Sequence, residues 1–171
     1  PVDRALLRSG AAVGDQLCVS GSLGDAAAAL DVLNGQWSGE PDQAQYLAGR
    51  FYRPTPRLAL GRQLLGVASA AIDISDGLLA DAGHIAAASG LRLHIDPALL
   101  PLSPALAKYP DRQQALRWAL TGGDDYELCF TLPTGTPLPP GCTRIGDAVV
   151  GEGVACGLDL GAVAGYRHFQ A

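Results

Sequence analysis

Residues 70–79, Ala70-Ala71-Ile72-Asp73-Ile74-Ser75-Asp76-Gly77-Leu78-Leu79, decide how this chain is read. A short apolar run reads as a strand over Ala70 to Asp73, and a helix-compatible stretch from about Gly77 to Ser89 follows, closed by Gly90 in the position that favours a left-handed cap. Alternate residues of an extended segment point the same way, so Asp73 and Ser75 share a face. Asp76 then falls at the helix opening, beside backbone N–H groups that have no intrahelical partner. Two readings of these oxygens are open. Ser75 or Asp76 caps the helix, or the group forms a corner for a divalent cation and a polyphosphate, since Mg²⁺ takes one or two carboxylates and fills its shell with water and phosphate oxygens.

Upstream, Gln16-Leu17-Cys18-Val19-Ser20 reads as a strand, Gly21-Ser22-Leu23-Gly24 as a glycine turn, and the alanine-rich Asp25 to Leu33 as a helix. Such a turn either binds a phosphate through its N–H groups and the helix dipole or is simply a tight connection. Asp42 to Phe51 is helix-compatible, with Tyr46 and Leu47 on its apolar side. Arg53-Pro54-Thr55-Pro56-Arg57 interrupts it: Pro54 forbids continuation, Thr55 is a good cap and Pro56 suits a first helical position, which predicts a new helix over Arg57 to Leu65.

Downstream, Leu91-Arg92-Leu93-His94-Ile95 alternates as a half-buried strand with His94 towards solvent. Pro101 to Tyr109 and Asp111 to Leu120 read as short helices, and Tyr126 to Leu132 as a strand. Short β segments are expected at Thr143 to Gly146, Ala148 to Val150, Val154 to Cys156 and Ala164 to Phe169. Helices concentrate early and strands recur throughout, so the expected class is α+β, a mixed β-sheet flanked by helices.

The chain has 171 residues, of which 48% are hydrophobic, enough for one well-formed core. Lys and Arg total 12 against 17 Asp and Glu, a net charge of −5 that lacks the basic footprint of a nucleic-acid binder. Cys18, Cys129, Cys142 and Cys156 form no Cys-x-x-Cys pair, which suits a reducing, cytoplasmic setting without structural zinc. No apolar stretch is long enough for a membrane span and no secretory pattern opens the chain. The sequence starts at Pro1 and contains no Met, as expected for a piece of a longer polypeptide.

A second acidic cluster is Gly122-Gly123-Asp124-Asp125-Tyr126-Glu127. Either its glycines admit a ligand to the backbone and its carboxylates take hydrogen bonds or cations, or it is an ordinary turn with solvated acids. His84, His94 and His168 share no metal-ligand spacing.

Taken together, Arg8-Ser9-Gly10, Ser20-Gly21-x-x-Gly24-Asp25, Arg53-Pro54-x-Pro56-Arg57, Ile72 to Leu78 and Gly122 to Leu128, in this order and spacing, resemble the C-terminal half of the bacterial thiamine-monophosphate kinase family. The likeness runs from Arg4 to Gly165-Tyr166-x-His168-Phe169. The family sits in the superfamily of aminoimidazole ribonucleotide synthetase and selenophosphate synthetase, and the resemblance implies the C-terminal-domain fold of the former over residues 1–171 as a single domain. It also implies transfer of the γ-phosphoryl group of ATP to thiamine monophosphate with several Mg²⁺ ions, in a homodimeric full-length enzyme whose N-terminal half carries most of the metal and ATP site. Residue by residue, Asp73 and Asp76 are implied metal ligands, Arg8 and Ser75 ATP contacts, and Asp124 and Tyr166 substrate contacts. Asp124 stands where the family usually has Glu, which keeps the charge and shortens the reach. Without its other half the chain is expected to be inactive. A non-catalytic nucleotide- or phosphate-binding module of the same superfamily, or a sister enzyme with another acceptor, are the competing readings.

Overall fold

A computed structural model describes residues 5–37 and 39–158. Six strands form one mixed sheet: β1 (Gln16–Ser20), β2 (Ala70–Asp73), β3 (Arg92–Ile95), β4 (Leu128–Leu132), β5 (Cys142–Val149) and β6 (Gly153–Cys156), in the order β2-β4-β1-β5-β3-β6. Every neighbouring pair is antiparallel except β3 with β6. The helices are α1 (Asp25–Leu33), α2 (Pro41–Tyr52), α3 (Leu58–Leu64), α4 (Leu78–Ser89), α5 (Pro104–Ala107) and α6 (Arg112–Thr121). The architecture is the expected mixed sheet flanked by helices.

The period of two along the strands distributes the core. Leu17, Val19, Ala70, Ile72, Cys129, Ile145 and Leu93 face α4 and α6, which contribute Leu78, Ala82, Ile85 and Leu116. Cys18, Ala71, Phe130 and Leu132 face the opposite way, onto Leu64 of α3. A third cluster lies between helices, where Ala28 and Ala29 of α1 meet Leu47, Leu106 and Trp118. The small side chains of α1 let it approach α2 closely.

Several local expectations are corrected. The helix after Pro54 begins at Leu58, with Arg57 as its cap residue and no side-chain cap, so neither Thr55 nor Pro56 plays the anticipated part. The strand expected from Tyr126 begins at Leu128, because Tyr126 holds a positive φ that no ladder accommodates. The two segments expected at 143–146 and 148–150 are one strand, β5, which pairs on both edges. Tyr166 and the strand expected at Ala164 to Phe169 lie outside the described residues. Among the described residues, no helix is long and apolar enough to cross a membrane.

Candidate functional site

The site begins where β2 runs past its last residue, Asp73. Ile74 N–H donates to the Glu127 carbonyl at 2.8 Å, Tyr126 N–H to the Ile74 carbonyl at 2.9 Å, and Asp124 N–H to the Ser75 carbonyl at 3.0 Å. These bonds stitch the two acidic motifs together. A Cβ on Gly123 would overlap the Ser75 carbonyl, so only glycine admits this approach. The chain then turns into α4 at Gly77, whose φ is 108° and whose missing Cβ would lie 2.7 Å from the Thr121 carbonyl.

Neither Ser75 nor Asp76 caps α4: its cap residue is Gly77, which has no side chain to offer. The orphan N–H groups of the turn are met instead by Asp81, one turn into the helix. Its Oδ2 accepts from the N–H of Ser75 and of Asp76, each at 3.0 Å. Asp81 is buried, and burial pushes its carboxyl above the usual range, opposed by these two backbone bonds and assisted by the charges of Asp76 and Asp73. A carboxylate in the first turn of a helix is a recognisable signal that the sequence reading did not use.

The Gly122 to Glu127 segment separates its acids by side. Asp124 and Tyr126 face outward with φ of 64° and 51°, the two non-glycine positive-φ residues among those described. Asp125 and Glu127 face inward and are buried, which corrects the picture of a turn with solvated acids. Asp125 Oδ2 accepts Gly24 N–H at 2.7 Å and its Oδ1 accepts Ala26 N–H at 3.4 Å. The N-terminus of α1 thus has a protein carboxylate where a phosphate had been one option, and the tight-connection reading of the Gly21 to Gly24 turn applies. Burial drives Asp125 up to about 7, against the pull of the Gly24 N–H; Asp25 raises it further and Arg50 lowers it.

Glu127 anchors the segment from below. It accepts the Ser20 hydroxyl at 2.5 Å, Arg57 Nε at 2.6 Å and an Arg50 guanidinium N–H at 3.0 Å. Arg50 Nε reaches Asp25 at 3.4 Å, and Asp25 also accepts the hydroxyls of Ser22 and Ser103. The Arg-Pro-x-Pro-Arg motif, read from sequence as punctuation, therefore also delivers the Arg57 partner of a buried carboxylate. The hydrogen bond to Glu127 is the chief reason the Arg57 guanidinium is raised above its ordinary value.

Two hollows flank the stitched segment. One is a cleft of about 570 Å³ with Ser75, Asp76, Gly122, Gly123 and Asp124 on one side and Ala26, Ala27, Leu30 and Phe51 on the other. The second, of about 490 Å³, holds Asp73, Tyr126, Arg57 and Arg62 among Leu6, Pro54, Pro56, Leu58 and Leu128. Ser75, Asp76 and Asp124 are thus brought together, and Asp73 lies in the adjoining groove. The Tyr126 hydroxyl spans the boundary, donating to Asp124 Oδ1 at 3.1 Å. Arg8 is exposed, and its carbonyl accepts the hydroxyl of Ser89, at the end of α4 opposite Asp76. Among the described residues, no group of three or more His, Cys, Asp or Glu is arranged to hold a metal ion. Asp73 lines one of the two hollows and Asp76 the other.

No protein-family model matches the chain. It is 53% identical over 134 residues to the thiamine-monophosphate kinase of Salmonella typhimurium, a match covering 78% of this chain and 41% of that protein. The crystal structure of thiamine-monophosphate kinase from Stenotrophomonas maltophilia superposes with a TM-score of 0.83 at 43% identity, over 90% of this chain and 53% of the other. The structure of AaThiL complexed with AMPPCP and TMP gives a TM-score of 0.86 at 38% identity, over 96% and 54%. The chain resembles thiamine-monophosphate kinases in sequence and fold, and it spans about half of their length.

Proposed function

We propose that this chain is the C-terminal half of a cytoplasmic, homodimeric thiamine-monophosphate kinase, folded as one domain, and that its cleft is one wall of the phosphoryl-transfer site. The observation that carries this reading is the backbone pairing of Ile74 and Ser75 with Asp124 and Tyr126, which puts Ser75, Asp76 and Asp124 around one hollow. That a relative has been captured with AMPPCP and TMP together supports it.

In the proposed reaction the thiamine monophosphate oxygen bonds to the γ-phosphorus of ATP as the bond to the β–γ bridging oxygen breaks, and ADP leaves. A phosphate monoester has its second pKa near 6, so the attacking oxygen is largely anionic at neutral pH and needs no strong base. The demand is for positioning and charge neutralisation. Mg²⁺, when bound, supplies that neutralisation; Asp73 and Asp76 are the residues that would hold it. Ser75 and Arg8 contact ATP in this reading, and Asp124 and Tyr166 orient the acceptor. Two carboxylates do not hold several cations and a triphosphate, so the 171-residue chain alone is inactive.

Calorimetric titration with Mg-ATP and thiamine monophosphate, with and without an added N-terminal half, tests this. Turnover restored on mixing is the expected result. Ligand binding without turnover in the mixture would favour the non-catalytic module. Turnover by the chain alone, lost in Asp73→Ala, would overturn the claim of inactivity.

A further inference from the structure

The geometry points to Tyr126 as a positioning residue for the acceptor substrate: its hydroxyl holds the carboxylate of Asp124, which lines the cleft, while Tyr126 itself lines the Asp73 groove. This inference rests on the reading of Asp124 as a substrate contact.

Three independent observations support it. Tyr126 sits at φ 51°, a conformation that is unfavourable for a bulky non-glycine residue and persists only where the surroundings impose it. The fold does not obtain a buried ring in return, because Tyr126 is 41% exposed. What the conformation does achieve is local: with Asp124 also left-handed, both side chains emerge on the outer side of a segment whose alternate acids point inward, and the phenol meets Asp124 Oδ1 at 3.1 Å. A hydrogen bond to a charged acceptor also fixes one carboxylate rotamer.

The shortness of Asp124 gives this contact its use. A carboxylate one methylene shorter than Glu reaches less far into the cleft, so its direction matters more. Tyr126 sets that direction from the far side, leaving Oδ2 for a ligand. The groups facing the phenol are Asp124 on its own segment and, across the β2 extension, the charges of Asp73 and Asp76.

The test uses the full-length protein and steady-state kinetics with each substrate varied separately. Tyr126→Phe is expected to raise KM for thiamine monophosphate about tenfold while KM for ATP stays within about twofold, as loss of one charge-assisted hydrogen bond implies. Asp124→Gly retains the left-handed backbone without a carboxylate, and in that background Tyr126→Phe is expected to add nothing. Equal effects on both substrates, no effect of Tyr126→Phe, or additive effects in the double variant would each overturn the inference while leaving the kinase assignment intact. A wild-type protein that does not phosphorylate thiamine monophosphate would overturn both.

Discussion

The carboxylate of Asp125 receives the backbone N–H of Gly24 at 2.7 Å, across 101 residues of sequence. This bond ties the segment that presents Asp124 to the first turn of α1, whose Ala26, Ala27 and Leu30 form the cleft's apolar wall. The two walls of the cleft are joined through a buried acid.

That acid makes stability depend on pH in a definable direction. The carboxyl titrates at 3.8 when unperturbed and at about 7 in the fold, so between these values the folded state keeps a proton that the unfolded state has released. The stability contributed by the protonated form is complete below 3.8 and is lost as pH rises through 7. Between about pH 5 and about pH 8 the wild-type Tm is expected to fall relative to that of Asp125→Asn. Parallel Tm curves for the two proteins would contradict this.

Glu127→Ala leaves Arg50 and Arg57 without their shared carboxylate. Removing one partner of a buried ionic group costs about 3–5 kcal/mol, readable as a lower midpoint in urea. Arg57→Ala is expected to cost less, because Arg57 is partly exposed and Arg50 and Ser20 still serve Glu127.

Asp81→Ala removes the acceptor for two backbone N–H groups. A loss of about 1–3 kcal/mol is expected, together with faster hydrogen exchange at Ser75 and Asp76 than at the neighbouring β2 amides. Uniformly faster exchange across β2 would instead mean that Asp81 supports the whole strand.

Gly77 and Gly90 flank α4 and both have positive φ, but only Gly77 is crowded, with the Thr121 carbonyl 2.7 Å from an added Cβ; Gly90 has nothing within 4 Å. Gly90→Ala is expected to cost about 1 kcal/mol from backbone conformation alone, and Gly77→Ala clearly more, because α4 must also move away from α6. Thermal denaturation of the two variants side by side gives the comparison.

Much of this was legible because local chemistry and tertiary structure agree. The apolar run of β1 buries Leu17 and Val19 on one face and Cys18 on the other, and Gly90 ends α4 where its position suggested. The two acidic motifs could be picked out from residue order, but their meeting is a long-range backbone event that leaves no periodic trace. The same holds for Asp125 and Glu127. Neighbouring acids in a glycine-rich segment look solvated until the fold supplies Gly24 N–H, Arg50 and Arg57. The left-handed conformations of Asp124 and Tyr126 were hidden for another reason. Tyrosine carries no preference for them, so only the surrounding hydrogen bonds reveal them.

The strand order β2-β4-β1-β5-β3-β6 also has a consequence for how the molecule assembles. β4 lies between β1 and β2, and the Ser20–Glu127 contact beside that junction spans 107 residues. During synthesis from the N-terminus, β1, α1 and β2 emerge well before the strand that joins them. Closing loops of this length carries an entropic cost before any contact offsets it, and topologies dominated by distant pairings fold slowly. The cleft is therefore a late product of folding: nascent chains that have not reached β4 carry Asp73, Ser75 and Asp76 with no opposite strand to arrange them.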